Sequence, residues 1–421
     1  MGTLFLFGLF FLCALSHIDL EADSPVAHVS IQTMSEEIVY PSEIKFRITG
    51  TSEADLKNVV LRYTLGNSEV EQYTYMEFSG SRNFSANGLI PTDGESYVPP
   101  GTTITYRYEV VTSSSEPFTS KKNVLSYLDP SYTWTSHKGD YLTLLYHDIS
   151  KSKIVELSET IDELTPRLRQ FLGSDSDLTY TGVIINNSAE LLKASPKISQ
   201  AAINTRLYGG FAFNKYGLFI IGGLSKNSTA HEMTHLVVSE VLNSPSAKVP
   251  AWLNEGIAMY FEPDNLQRSR AAIQAYKSGV LKPLSQLRTS PGRPTDVRVF
   301  YAHSHAVVKY LINKYGNKKF QGLLVSLQNG TDIETAMKSV YGFSENELDF
   351  QWRESLEPKI SEKFVADLGL LSPSLLILAA ILIFATITLG KKLMPSNNED
   401  EEDYPYPDDE DYPCENQRYH Y

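Results

Sequence analysis

Cysteine is almost absent. Cys13 and Cys414 are the only two in 421 residues, and they lie near opposite ends of the chain. No disulfide framework or cysteine metal knuckle can form between them, so the chain relies on buried apolar cores. About 350 residues separate the two ends, enough for two such cores. Basic charge is also scarce. Lys plus Arg number 37 against 50 Asp plus Glu, which leaves a net −13 and a pI near 5.2. No basic stripe breaks that balance, so nucleic acid is excluded as a partner class. There is no internal repeat and no glycine-rich motif of the kind that cradles a cofactor phosphate.

Long apolar runs are few, and each has a position that suggests a role. Leu4 to Leu15 is uncharged. It is too short to cross a hydrocarbon core of about 30 Å but suits a signal peptide over 1–16, with Ala14-Leu15-Ser16 as the cleavage site. Leu368 to Gly390 is also uncharged, and as a helix it would span about 34 Å. Lys391 and Lys392 follow at once, marking a cytoplasmic flank. A single-pass transmembrane helix at 368–390 is therefore expected, with the preceding chain outside the cytoplasm. The tail, 391–421, carries ten Asp or Glu against three Lys or Arg, interleaved with Pro405, Pro407 and Pro413. Such a composition cannot bury a core and reads as a disordered acidic cytoplasmic tail.

Between these ends the pattern changes once. Residues 25–128 alternate with period two, as in Ile44-Phe46-Ile48, Leu61-Tyr63-Leu65 and Thr103 to Val110. Turn signals separate the runs at Leu65-Gly66-Asn67 and Pro99-Pro100-Gly101. Short strands without a helical window predict an immunoglobulin- or fibronectin-like β-sandwich. From Tyr132 a strand at Tyr141–Tyr146 precedes a helix over Ser152–Leu172 that Gly173 closes, then a strand at Leu178–Ile185 and a short helix at Ser188–Ala194. A strand at Gly217–Ile221 leads into a helix whose expected cap is Thr229, with Glu232 in the capping-box position. Helices are predicted from Pro250 and over Leu266–Val280, Tyr301–Tyr315, Lys318–Leu327 and Glu345–Leu356, the last capped by Ser344 with Glu347. The fold class is α+β, with a second domain at 132–365.

The chemistry is concentrated in His231-Glu232-Met233-Thr234-His235 and in Glu255, which follows inside Trp252-Leu253-Asn254-Glu255-Gly256. On a helix, His231 and His235 at i and i+4 project from one face about 6 Å apart. Two imidazoles and one carboxylate fill three of the four tetrahedral positions of Zn²⁺ and leave one for water. Glu232 stands beside the metal as general base. With nine His in the chain, such a motif arises by chance in on the order of one chain per hundred.

The stretch from His231 to Glu262 resembles the signature of the gluzincin zinc metallopeptidases, and most closely the peptidase MA-like, membrane-anchored bacterial type. The resemblance covers about 132–365. It implies zinc held by His231, His235 and Glu255, Glu232 as base and proton shuttle, and peptide or protein substrates. Aminopeptidase-type gluzincins use a downstream Tyr to steady the oxyanion, and the matching residue is Tyr301. His303 and His305 are alternative donors. The family's edge strand, which pairs with an extended substrate, falls within 209–221. Its aminopeptidase members end a Gly-rich motif there with Glu, whereas this chain has Gly209-Gly210-Phe211-Ala212. That departure points away from an aminopeptidase and toward an endopeptidase. Met259 stands where thermolysin-like relatives place the carboxylate that orients a ligating His, so no orienting partner is identified. A non-catalytic surface binding or adhesion module with a structural or vestigial zinc site stays open as an alternative. The sequence does not fix the oligomeric state.

Overall fold

The computed structural model describes residues 28–113, 116–196, 209–264 and 266–356. The expectations for 1–16, 368–390 and 391–421 lie outside these residues. Among the described residues no helix is long and apolar enough to cross a membrane.

The first unit is antiparallel throughout. Its strands are β1 (Val29–Val39), β2 (Glu43–Ser52), β3 (Leu56–Leu65), β4 (Gln72–Ser79), β5 (Asn83–Pro91), β6 (Thr103–Thr112), β7 (Phe118–Thr119) and β8 (Asn123–Ser126). They pair in the order β1-β2-β5-β4-β3-β6-β7, with β8 also on β6. The predicted alternation is realised: Ile44, Phe46 and Ile48 on β2 share one core with Leu61 and Tyr63 on β3 and with Tyr106 and Tyr108 on β6. The expected sandwich of two separate sheets is refined. Residues 72–76 of β4 pair with β3 and residues 77–79 pair with β5. One strand thus carries the hydrogen-bond ladder across both halves, and the result is a single sheet folded onto itself. Tyr106 hydrogen-bonds Glu36 of β1 across the fold.

The second unit is built on a five-stranded sheet, ordered β12-β13-β11-β10-β9. It comprises β9 (Thr135–Lys138), β10 (Leu142–Tyr146), β11 (Tyr180–Ile185), β12 (Gly210–Phe213) and β13 (Leu218–Gly222). The three central strands are parallel and the two outer ones antiparallel. Near-continuous apolar strands such as β11 and β13 follow from burial on both faces. One face, with Leu144, Phe219, Ile221 and Ala212, joins the large helical core. The other, with Val183, Ile220, Phe211 and Phe213, packs toward Tyr97 and Leu128 of the first unit.

Nine helices are described here: α1 (Lys151–Leu172), α2 (Ser188–Ala194), α3 (Lys226–Leu242), α4 (Ala251–Tyr260), α5 (Leu266–Lys277), α6 (Pro294–Tyr315), α7 (Asn317–Gln328), α8 (Ile333–Tyr341) and α9 (Glu345–Glu354). Gly173 closes α1 in the left-handed conformation, at φ 80°, and its N–H donates to the Arg169 carbonyl. There a Cβ would cost strain. The Ser344–Glu347 capping box at α9 is present.

Three details differ from expectation. Helix α3 is capped by Ser225, whose hydroxyl accepts from the Ser228 N–H, and Thr229 lies inside the first turn donating to the Ser225 carbonyl. Glu232 therefore has no capping duty. Helix α6 starts at Pro294, seven residues early, because proline's fixed φ suits the first helical position. Helix α8 was not predicted, although Asp332 caps it and Gly342 ends it, whereas β12 is an edge strand within the expected 209–221.

Candidate metal centre

Helix α3 is deeply enclosed. Every residue from Asn227 to Val238 is buried, because α3 runs between strands β12 and β13 on one side and α1, α4 and α7 on others. Burial of this kind normally selects an apolar sequence, yet His231, Glu232 and His235 lie in its middle, each 2% exposed or less. Polar groups so placed are costly unless they have partners or a metal.

Helix α4 brings the third ligand. Its first turn is tied down by Ala251 and Trp252, whose N–H groups donate to the carbonyls of Arg288 and Leu287. Trp252 Nε1 also donates to the buried carboxylate of Glu345 at 2.5 Å, and Arg288 pairs with that carboxylate from the other side. One residue past Glu255, Gly256 lets α4 approach α6. A Cβ there would stand 2.6 Å from the Ser304 carbonyl and 2.4 Å from Val308 Cγ2. Close contact of this kind needs glycine, and it sets the depth at which Glu255 enters.

The donor atoms converge. Glu255 Oε2 lies 3.2 Å from His231 Nε2 and 3.8 Å from His235 Nε2, and all three residues offer ligand atoms within 4.8 Å of one another. Tetrahedral zinc with bonds of about 2.0–2.1 Å keeps its ligands roughly 3.3 Å apart. The residues fit the metal. Glu232 lies directly under strand β12: a Cβ on Gly210 would stand 2.8 Å from Glu232 Oε1.

The geometry also supplies what the sequence reading lacked. Glu262 Oε1 accepts from His231 Nδ1 at 2.6 Å, and Arg268 grips the same carboxylate through Nε at 2.7 Å and Nη2 at 3.1 Å. With Nδ1 protonated, His231 presents its Nε2 lone pair to a metal. The loop behind Glu262 is fastened to α3 by two bonds between Asn227 and the Asp264 backbone. The orienting carboxylate thus lies just past the end of α4, one turn beyond Met259. The signal was an acidic residue at the end of the quoted signature, where no helix-based spacing rule would look.

The candidate donors on α6 separate. His303 Nε2 bonds Asp349 Oδ1 at 2.9 Å and its ring packs on Trp352, so it is committed to the core. His305 is fully buried, and neither ring nitrogen has a hydrogen-bond partner among the described residues. Burial pushes its pKa down to about 4, with Lys309 and Arg268 adding to the shift and Glu262 opposing it. It is a neutral imidazole near neutral pH. Tyr301 is buried in the same helix, one turn before the Ser304–Gly256 contact.

Residues 181–358 match the profile of the Peptidase MA superfamily. That segment contains His231, Glu232, His235, Glu255 and Glu262. The chain is a zinc metallopeptidase. Among solved structures, the M1 zinc metallopeptidase from Deinococcus radiodurans is 12% identical, with 79% of this chain and 95% of that one covered and a TM-score of 0.37. An aminopeptidase N family protein from Idiomarina loihiensis is 8% identical, with 79% and 71% covered and a TM-score of 0.30. Both are partial likenesses. Among curated proteins none matches it in sequence.

Two outcomes are expected of this metallopeptidase. Glu262→Ala should weaken zinc binding by about 10–100-fold, read by competition against a chromophoric chelator, with Arg268→Met causing a smaller loss in the same direction. His305 gives a pH effect. Its pKa is depressed from 6.5 to about 4, so the stability it confers as a neutral ring is complete above pH 6.5 and is lost as pH falls through 4. The fall of the urea midpoint across that window should be shallower in His305→Leu than in the wild type.

Proposed function

We propose that this zinc metallopeptidase is a membrane-anchored endopeptidase whose site works outside the cytoplasm on peptide or protein substrates. The observation that carries the reading is the convergence of His231, His235 and Glu255 beside Glu232, beneath strand β12. Among the described residues β12 is an edge strand that pairs with β13, and the reading assigns it the backbone pairing with an extended peptide. The strand carries no carboxylate to hold a free substrate amine, which favours cleavage within a chain over trimming of its end. The apolar stretch 368–390 and the two lysines after it support the anchor and its orientation.

His231, His235 and Glu255 hold the zinc. When bound, the metal polarises the scissile carbonyl and lowers the pKa of water. Glu232 accepts the proton of the attacking water and delivers it to the leaving amine, the double duty of one carboxylate in a dry site. Glu262 keeps His231 in the tautomer that the ligand role needs. Tyr301 donates its hydroxyl to the developing oxyanion, from the helix that touches α4 beside Glu255.

Hydrolysis of an internally quenched peptide by the zinc-loaded full-length chain tests this reading. Glu232→Gln should keep its zinc and lose turnover by at least about 10²–10⁴-fold. A Gln variant as active as the wild type would dispose of the mechanism. Tyr301→Phe, with zinc content unchanged, should lower kcat by about 10²–10³, whereas equal loss of zinc and kcat would mark Tyr301 as packing alone.

A further inference from the structure

The first unit touches the elements around the substrate-side strand at several points, and three of these contacts meet at one residue. Tyr97 follows a single turn of 3-10 helix at Gly94–Ser96, between β5 and β6. Its hydroxyl donates to the Ala194 carbonyl at the end of α2, at 2.5 Å. Its ring packs on Phe213 of β12 with centroids 5.6 Å apart. Its own carbonyl accepts from the hydroxyl of Tyr216 at 3.3 Å, in the turn that joins β12 to β13.

Neighbouring contacts reinforce each end. Lys193 on α2 pairs with Asp129 at 2.6 Å and lies over the Tyr40 ring. Leu191 of α2 rests on the sheet, where a Cβ on Gly222 would meet its Cδ2 at 2.9 Å. At the other end, Gly66 in the β3–β4 turn lies so close to Tyr216 that a Cβ would stand 3.0 Å from its backbone.

Strand β12 is therefore held between two supports. Gly210 and Ala212 face α3, with Gly210 over the Glu232 carboxylate, and Phe211 and Phe213 face the first unit. Among the described residues β12 is paired on one side, and an edge strand has fewer ladder bonds to hold it than a central one. An edge that is to receive a peptide backbone gains most from being ordered beforehand, since binding then spends less on fixing it.

We infer that Tyr97 is a positioning residue of the peptidase reaction, through which the folded β-unit holds β12 in place over Glu232 for an extended substrate. This rests on the peptidase reading above and deepens it. The first unit is then part of the substrate site's support as well as a spacer. The metal ligands sit on α3 and α4, which are fixed by other contacts, so loss of Tyr97 acts on substrate capture and leaves the metal alone.

The test uses the zinc-loaded full-length chain and an internally quenched peptide that the wild type cuts. Tyr97→Ala should raise KM about tenfold or more, with kcat and zinc affinity within about threefold of wild type, the pattern of a lost binding interaction. Tyr97→Phe keeps the ring on Phe213 and should fall between the two. Tyr216→Phe, which removes the same brace from the opposite side, should raise KM in the same sense, and these two mild variants carry the test if Tyr97→Ala does not fold. A lower melting temperature with unchanged KM in all the folded variants would overturn the inference, as would a parallel loss of zinc and kcat. Absence of any hydrolysis by the wild type would instead overturn the peptidase reading itself.

Discussion

The bond between His231 Nδ1 and Glu262 is the contact on which the rest of the site depends. It fixes one imidazole, and through Arg268 it ties α3 to the segment that follows α4. The electrostatics explain why it is needed. Glu232, Glu255 and Glu262 are all buried in one neighbourhood, each 3% exposed or less, and Arg268 is the guanidinium that grips them at Glu262. Buried charge in a dry interior is expensive unless counter-charges and hydrogen bonds balance it. A divalent cation between His231, His235 and Glu255 would add positive charge where these groups converge. Metal and fold are thus coupled, and the pocket's polar interior is tolerable because it is built around a charge it expects to hold.

Two kinds of support follow from this constraint. The ligands are carried on helices whose separation is set by close backbone approach, with Gly256 against Ser304 as the tightest point. Their ends are then secured by buried polar contacts, such as Trp252 and Arg288 on Glu345. Helices serve this purpose well, since side chains at i and i+4 keep their spacing while the backbone bonds satisfy themselves. The substrate side is different. In the proposed reading it uses backbone groups of an edge strand, which a partner strand can pair with.

Much of this was legible in the residues. The i, i+4 histidines on a helix, the Glu one helix later, the period-two strands of the first unit and the glycine stop at Gly173 all came from local rules, and local rules hold where spacing alone decides geometry. The cap of α3 was misplaced because Ser225 and Thr229 are both good capping residues one turn apart, and only the packed start of the helix distinguishes them. Glu262 was missed because it acts from beyond a helix end, so its approach to His231 depends on how a loop folds back. The single folded sheet was missed because nothing in β4 announces that its two halves pair with different strands. Contacts across long sequence distances, such as Tyr97 with Phe213, leave no periodic trace at all.

The arrangement separates two tasks that are often entangled. The candidate zinc ligands and Glu232 lie on buried stretches of α3 and α4, and substitutions there act on metal and carboxylate together. Strand β12, to which we assign substrate alignment, has one face on the Glu232 helix and the other on the β-unit. A change in the β-unit can then shift or soften the strand without disturbing the ligands behind it. The same geometry limits how far that freedom extends, because a Cβ on Gly210 would stand 2.8 Å from the Ile220 backbone carbonyl as well as from Glu232 Oε1. Specificity can vary along the outer side of β12 and in the elements that brace it, while the point where the strand crosses the base is held to glycine.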